Sequence, residues 1–296
     1  MAAGELLNSK RRAGFCQRLA APKLLGNGAF LMTASLRNQW QHACGLALDA
    51  VFPPRCIACR AWSHEAFCVS CRQSLQPIRA PFCVRCGLPF EPLSLALTCA
   101  DCQNNRHHSA PPFDFMRSVF RFEGPIRRAV HRFKYQGKWA LGAPLANEIC
   151  ALLRNQDATL PRIPIERIAL VVPVPLHGWR KFRRGYNQSA LLAQEIATHF
   201  QKVRPNNGCP PKEGRILFKN ALKRVRYTPP QVELGRQARG ENVRGAFALR
   251  ENPSGRGAIL LIDDVCTTGA TIRECARVLK SAGAPEVYAL TLARQV

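Results

Sequence analysis

The run Ala258-Ile259-Leu260-Leu261-Ile262 passes directly into Asp263-Asp264 and then into Val265-Cys266-Thr267-Thr268-Gly269-Ala270-Thr271. A short apolar run of this kind, followed by a loop and a helix, reads as a buried parallel strand with its functional loop at the carboxyl end. Behind the loop, Ile272, Cys275, Ala276 and Leu279 recur at helical spacing, and Gly283 is a stop signal. The chain is thereby committed to an α/β arrangement. The loop delivers backbone N–H groups and threonine hydroxyls to the start of a helix, where an anion is favoured. Gly269 lets the backbone approach that anion closely.

The two carboxylates need their own reason, since negative charge beside an anion site repels the ligand. They fit if they accept hydrogen bonds from vicinal sugar hydroxyls, with a divalent cation offsetting the charge. A ribose carrying a 5-phosphate satisfies both halves of the motif. An ordinary strand–turn–helix with a surface acidic pair is the alternative.

A second constraint comes from the cysteines. Of 14, eight fall in four C-x-x-C pairs: Cys56/Cys59, Cys68/Cys71, Cys83/Cys86 and Cys99/Cys102, separated by 8, 11 and 12 residues. Pairs of this spacing in a reducing compartment are metal knuckles, and two pairs complete a tetrahedral thiolate site. The intervening sequence has few large apolar residues, so metal supplies folding energy that a core cannot. Two structural zinc ions follow, most simply on neighbouring pairs, Cys56/Cys59/Cys68/Cys71 and Cys83/Cys86/Cys99/Cys102, with an interleaving of pairs one and three as the alternative. His64, His107 and His108 lie nearby and read as surface residues.

Lys and Arg number 43 against 19 Asp and Glu, a net charge of +24. Between His177 and Arg250 there are 16 Lys/Arg and 4 Glu, so half of the excess sits in a quarter of the chain. Such a balance favours polyanions or phosphorylated ligands, although a solvated basic face is an equal alternative. No stretch reaches the ~18 consecutive apolar residues of a membrane span.

Three regions are expected. Residues 1–35 form a basic flexible extension without a secretory apolar core; residues 36–110 a helix ending at Pro53-Pro54 plus the double cysteine module; residues 113–296 an α/β domain. In that domain strands are expected near Phe115–Phe122, Ile168–Val172, Phe247–Leu249 and, as the last, Val287–Leu292. Helices are expected over Ile126–Phe133, Leu141–Leu153 and beyond Asn187 as N-cap, with Gly124-Pro125 a turn. The segment from Leu222 to Val243 lacks periodicity and reads as a lid.

An apolar strand, two acids and Thr-Thr-Gly-Ala-Thr resemble the phosphoribosyltransferase fingerprint. Together with the four cysteine pairs, Val172-Pro173-Val174-Pro175-Leu176, Arg183-Arg184-Gly185-Tyr186-Asn187-Gln188 and Arg226-x-Thr228-Pro229-Pro230-Gln231, the sequence from about residue 44 onward resembles the ComF family. The resemblance implies a type I phosphoribosyltransferase-like parallel sheet flanked by helices, preceded by a double zinc ribbon. It implies a cytoplasmic bacterial protein that binds phosphoribosyl pyrophosphate with Mg²⁺ and handles single-stranded DNA during natural transformation or DNA utilisation. On this reading Asp263 and Asp264 hold the ribose, and Val265, Cys266, Thr267, Thr268, Gly269, Ala270 and Thr271 wrap the 5-phosphate. Arg183, Arg184 and Gly185 form the pyrophosphate loop, and Arg226 and Arg236 reach pyrophosphate from the closing segment, with Lys134 a further candidate. Cys266 is the least expected residue of the loop and suggests sensitivity to oxidation.

Two functional classes follow. One is a Mg²⁺-dependent transferase; the other is a non-catalytic nucleic-acid-binding or adaptor protein that keeps the fold as a ligand sensor. In the second, Trp179, Phe182 and Tyr186 stack on bases or merely pack. A third reading makes the cysteine module a docking surface for DNA-uptake proteins.

Overall fold

The computed structural model describes residues 53–103, 111–154, 161–203, 216–226, 242–253 and 257–296. The expected extension, the helix from Leu36, His107, His108, Thr228, Gln231 and Arg236 lie outside these residues. The chain divides into two compact units, Met1–Gln73 and Ser74–Val296.

In the first unit, described from Pro53, the short helix α1 (Val69–Gln73) carries Cys71 inward, and Phe67 is fully buried. Arg72 lies 5.4 Å over the Phe67 ring, and exposed His64 packs edge-on against Trp62.

The second unit begins with another cysteine knuckle containing α2 (Ala100–Gln103). Then come β1 (Phe115–Arg121), α3 (Gly124–Tyr135), α4 (Gly142–Arg154) and β2 (Ile168–Pro173). Next are α5 (Gly178–Arg184), α6 (Gln188–Val203), β3 (Leu217–Phe218), β4 (Leu222–Arg224) and β5 (Phe247–Leu249). β6 (Ala258–Cys266), α7 (Ala270–Ser281) and β7 (Val287–Arg294) follow. Five strands form one parallel sheet in the order β1-β7-β6-β2-β3, while β4 and β5 make a separate antiparallel pair.

Strand alternation explains how the layers form. Ile259 and Leu261 of β6 join Leu170, Val172, Val287 and Ala289 beneath Ile272, Cys275, Ala276 and Leu279 of α7. The opposite parity, Leu260 and Ile262, is equally buried, as parallel strands covered on both faces require. α6 packs on β2 and β6 and pairs with α4.

Several expectations change. Gly124-Pro125 is not a turn but the first turn of α3, where proline's missing N–H costs nothing. The cationic stretch before Gly185 is a helix, α5, closed by Gly185 in the left-handed region. β5 leaves the main sheet to pair with β4. β7, the last strand in sequence, lies inside the sheet between β1 and β6. The second cysteine cluster is not held by metal alone, because Cys83, Cys86, Cys99 and Cys102 share one core with Phe113, Met116 and the α7 residues.

Candidate functional site

β6 runs next to β7 on one side and β2 on the other, and the connections leave in opposite directions, α7 to β7 and α5–α6 to β3. The carboxyl ends of β2 and β6 therefore flank a topological switch point, where open α/β sheets bind ligands. Val174 N–H donates to the Ile262 carbonyl at 2.9 Å, joining the Pro173–Leu176 loop to this edge.

At the end of β6 Asp264 is 6% exposed, and its Oδ1 pairs with Lys134 Nζ of α3 at 2.9 Å. Asp263 accepts from the Ser189 hydroxyl at 2.7 Å and from the Asp264 backbone N–H at 2.9 Å. Burial and then the neighbouring Asp264 charge raise the Asp263 carboxyl, against Ser189 and Lys134, to a net value of about 7. Two carboxylates thus share one low-dielectric corner in which, among the described residues, only the Lys134 ammonium is paired with them, an arrangement that a further cation would complete.

Ser189 was not anticipated. Asn187 caps α6 as expected, its Oδ1 accepting from the Ser189 N–H at 3.1 Å, while its amide donates to the Val174 carbonyl at 3.0 Å. That cap fixes the first turn, and Ser189, 3% exposed, is delivered to Asp263. A serine two residues after an N-cap, in a helix aimed at the sheet's functional edge, is the signal that could have found it.

The loop after β6 folds around a small cavity of about 30 Å³, lined by Asp263, Val265, Cys266, Thr267, Gly269, Ala270, Thr271 and Ile272. One water needs ~10–15 Å³ on this measure, so a small anion has room. Gly269 adopts φ +79°, a conformation that L side chains rarely enter, and opens α7 there. The Thr268 hydroxyl accepts from the Ala270 N–H at 3.4 Å. Cys266 is 2% exposed and burial pushes its thiol up, so it is an inert structural cysteine. The expected sensitivity to oxidation has no basis in this environment.

The other site residues are placed as follows. Arg184 donates to Gln188 Oε1 at 3.3 Å and to the Tyr135 hydroxyl at 3.4 Å, which aligns α5 with the end of α3. Arg183 is exposed and lies 5.7 Å over the Trp179 ring. Arg226 is turned elsewhere: its Nη2 donates to the carbonyls of Asn242 and Arg244 at 3.1 and 2.7 Å, joining the two ends of the 227–241 segment. Buried Glu274 of α7 accepts from the Gly245 N–H at 2.7 Å and from Arg277. Tyr186 donates to the Phe133 carbonyl and packs on its ring, so it is a packing residue rather than a stacking platform. Trp179 and Phe182, by contrast, are 53% and 88% exposed.

The cysteines form two groups, Cys56/Cys59/Cys68/Cys71 and Cys83/Cys86/Cys99/Cys102, within each of which the sulfurs lie no more than 4.8 Å apart. Neighbouring pairs combine, so the interleaved scheme is excluded. Cys59–Cys68 and Cys86–Cys99 sulfur separations are both 3.6 Å. Tetrahedral zinc at ~2.3 Å from each sulfur sets its ligands ~3.8 Å apart, so both groups fit the ion. Burial and the adjoining sulfurs push the Cys71 thiol up, while hydrogen bonds from the surrounding backbone outweigh burial and pull the Cys56 thiol of the same group down, so the clustered thiols titrate as an interacting set.

Comparison with known proteins supports the metal-binding reading of the cysteine clusters and identifies relatives. Residues 47–103 match the double zinc ribbon domain family. The chain is 33% identical over 249 residues to DNA utilization protein YhgH of Salmonella typhimurium, covering 82% of this chain and 97% of that one. It is 30% identical over 246 residues to competence protein F of Haemophilus influenzae, covering 81% and 96%. Competence protein ComFC of Bacillus subtilis is 28% identical over 237 residues, covering 78% and 85%.

Proposed function

The chain belongs to the ComF family, and from that premise we propose that its Ser74–Val296 unit binds phosphoribosyl pyrophosphate with Mg²⁺ in the service of DNA uptake or utilisation. The observation that carries the reading is the meeting, at one switch point, of an anion loop opened by Gly269 and an acidic pair only partly neutralised by Lys134. Asp263 and Asp264 hold the ribose hydroxyls, and the backbone and hydroxyls of Cys266 to Thr271 hold the 5-phosphate. Ser189 keeps Asp263 in place. Arg184, locked against Gln188, presents positive charge to the pyrophosphate side from α5, with Arg183 beside it. Arg226 works through the backbone instead, fastening the base of the segment that carries Arg236.

Mg²⁺, when bound, supplies the charge that lets two carboxylates and a pyrophosphate occupy one edge. In transfer, the bond from the anomeric carbon to pyrophosphate breaks as a bond to the acceptor forms, through an oxocarbenium-like state. The protein's part is electrostatic positioning. Calorimetry with phosphoribosyl pyrophosphate, with and without Mg²⁺, tests the reading. Wild type should bind in the presence of Mg²⁺, and Asp264→Asn should lose most of that affinity. Binding that ignores both Mg²⁺ and the substitution would refute it.

A second reading is supported by α5. Trp179 and Phe182 stand exposed among Arg180, Lys181 and Arg183, with exposed Tyr135 and Trp139 on the neighbouring segment. Cations interleaved with exposed aromatic side chains suit single-stranded nucleic acid, by phosphate contacts and base stacking. DNA affinity should fall steeply with salt and drop several-fold in Trp179→Ala/Phe182→Ala. Affinity insensitive to ionic strength would refute it.

A further inference from the structure

We infer that Arg294 is the resident counter-cation of the second zinc site and ties that site to the phosphate loop. Four thiolates around Zn²⁺ leave a net charge of −2, which a protein interior tolerates only beside a compensating group. Arg294, at the end of β7, is 3% exposed. Its Nη1 donates to the Cys86 carbonyl at 2.6 Å, and Nη2 to the Cys86 sulfur at 3.9 Å. Its Nε has no hydrogen-bond partner, and among the described residues no carboxylate pairs with it. A buried guanidinium is costly unless it faces negative charge. Cys86 as a metal-bound thiolate supplies that charge, whereas a neutral thiol does not.

The same residue adjoins the ligand loop. Arg294 is the register partner of Cys266, and the next N–H, from Gln295, donates to the Cys266 carbonyl at 2.8 Å. Cys266 shares the core that holds all four cysteines of the second site. The knuckle is also pressed against the sheet at β1. Met116 N–H donates to the Arg85 carbonyl at 2.9 Å, and Gly87, at φ +66°, approaches so closely that a Cβ there would sit 2.6 Å from the Met116 carbonyl oxygen. The second zinc is therefore part of the foundation of the anion loop. The first, with Cys59 exposed, belongs to the other compact unit.

Zinc release from the full-length, zinc-loaded protein to 4-(2-pyridylazo)resorcinol provides the test. Wild type should release two equivalents, one fast from the exposed site and one slow. Arg294→Met should accelerate the slow phase alone by about tenfold or more, the usual consequence of losing an outer-shell partner. Arg294→Lys, which keeps the charge but loses the fork, should accelerate it by about threefold, and this variant decides the matter if Arg294→Met does not fold. An unchanged slow phase in a folded variant, or equal acceleration of both phases, would overturn the proposal. The link to the ligand rests on the function proposed above: Arg294→Met should also weaken binding of Mg²⁺-phosphoribosyl pyrophosphate about tenfold. If wild type binds none of that ligand, the functional reading fails while the zinc-release result still judges Arg294. If wild type binds it and Arg294→Met binds equally well, the link is refuted.

Discussion

Replacing Asp263 with Asn should make the unliganded protein more stable above neutral pH while removing its affinity for a Mg²⁺-bound sugar phosphate. The carboxyl is raised from an ordinary 3.8 to about 7, chiefly by burial and next by the Asp264 charge. Between those values the folded state holds a proton that the unfolded state has released, so stability falls as pH rises through the window and levels off above about 7. Three pH units at ~1.4 kcal/mol each bound the full effect near 4 kcal/mol, of which ~2–3 kcal/mol is lost between about pH 5 and pH 8. Asn is isosteric and keeps an oxygen to accept from Ser189 and from the Asp264 N–H, so it removes the charge without leaving a cavity. Thermal denaturation at several pH values measures the difference. The Asn variant should melt roughly 5–10 °C above wild type at about pH 8, with the gap narrowing towards about pH 5. A variant less stable at about pH 8, or a gap independent of pH, would refute the argument and return Asp263 to the status of a solvated acid.

Other perturbations test the remaining parts of the site. Lys134→Met leaves Asp264 buried without its ammonium and should cost about 2–3 kcal/mol by urea denaturation, an effect that Asp264→Asn should largely cancel in the double variant. Gly269→Ala meets only ordinary contact, its Cβ lying 3.8 Å from the Cys266 sulfur, but it must hold φ +79°. It should therefore cost ~1–2 kcal/mol, keep the fold by circular dichroism and weaken phosphate-ligand binding by calorimetry. Arg226→Ala should leave the melting temperature within ~1–2 °C of wild type, because the group is exposed. By freeing the joined ends of the 227–241 segment it should increase proteolysis there, which limited digestion would detect.

Much of the site was legible because it is local. The strand, the acidic pair and the anion loop lie within 14 consecutive residues, so burial, turn chemistry and the helix start are visible together. The cysteine pairs were legible for the same reason, since each knuckle is a short-range device, but which pairs share a metal was settled only by the fold. What escaped depends on long-range pairing. Lys134 was read as a candidate for pyrophosphate, and only the packing of α3 brings it to Asp264. Ser189 reaches Asp263 across 74 residues, and Arg294 reaches Cys86 across 208. The stretch 180–184 has cations at nearly every position and therefore no amphipathic period, so nothing local announced α5.

The interior position of β7 has a consequence for biosynthesis. β1 emerges from the ribosome with only the preceding backbone at Gln76–Ile78 and Arg85 to bond to, and its partner strand is made much later: Ser118 must wait for Thr291, 173 residues downstream, before their hydroxyls meet at 2.7 Å. Throughout that delay the β7-facing edge of an apolar strand is presented to solvent, which is the condition under which nascent chains mispair or recruit chaperones. Translation speed and holdase capacity, rather than final stability, should then govern how much of this protein a cell obtains in usable form.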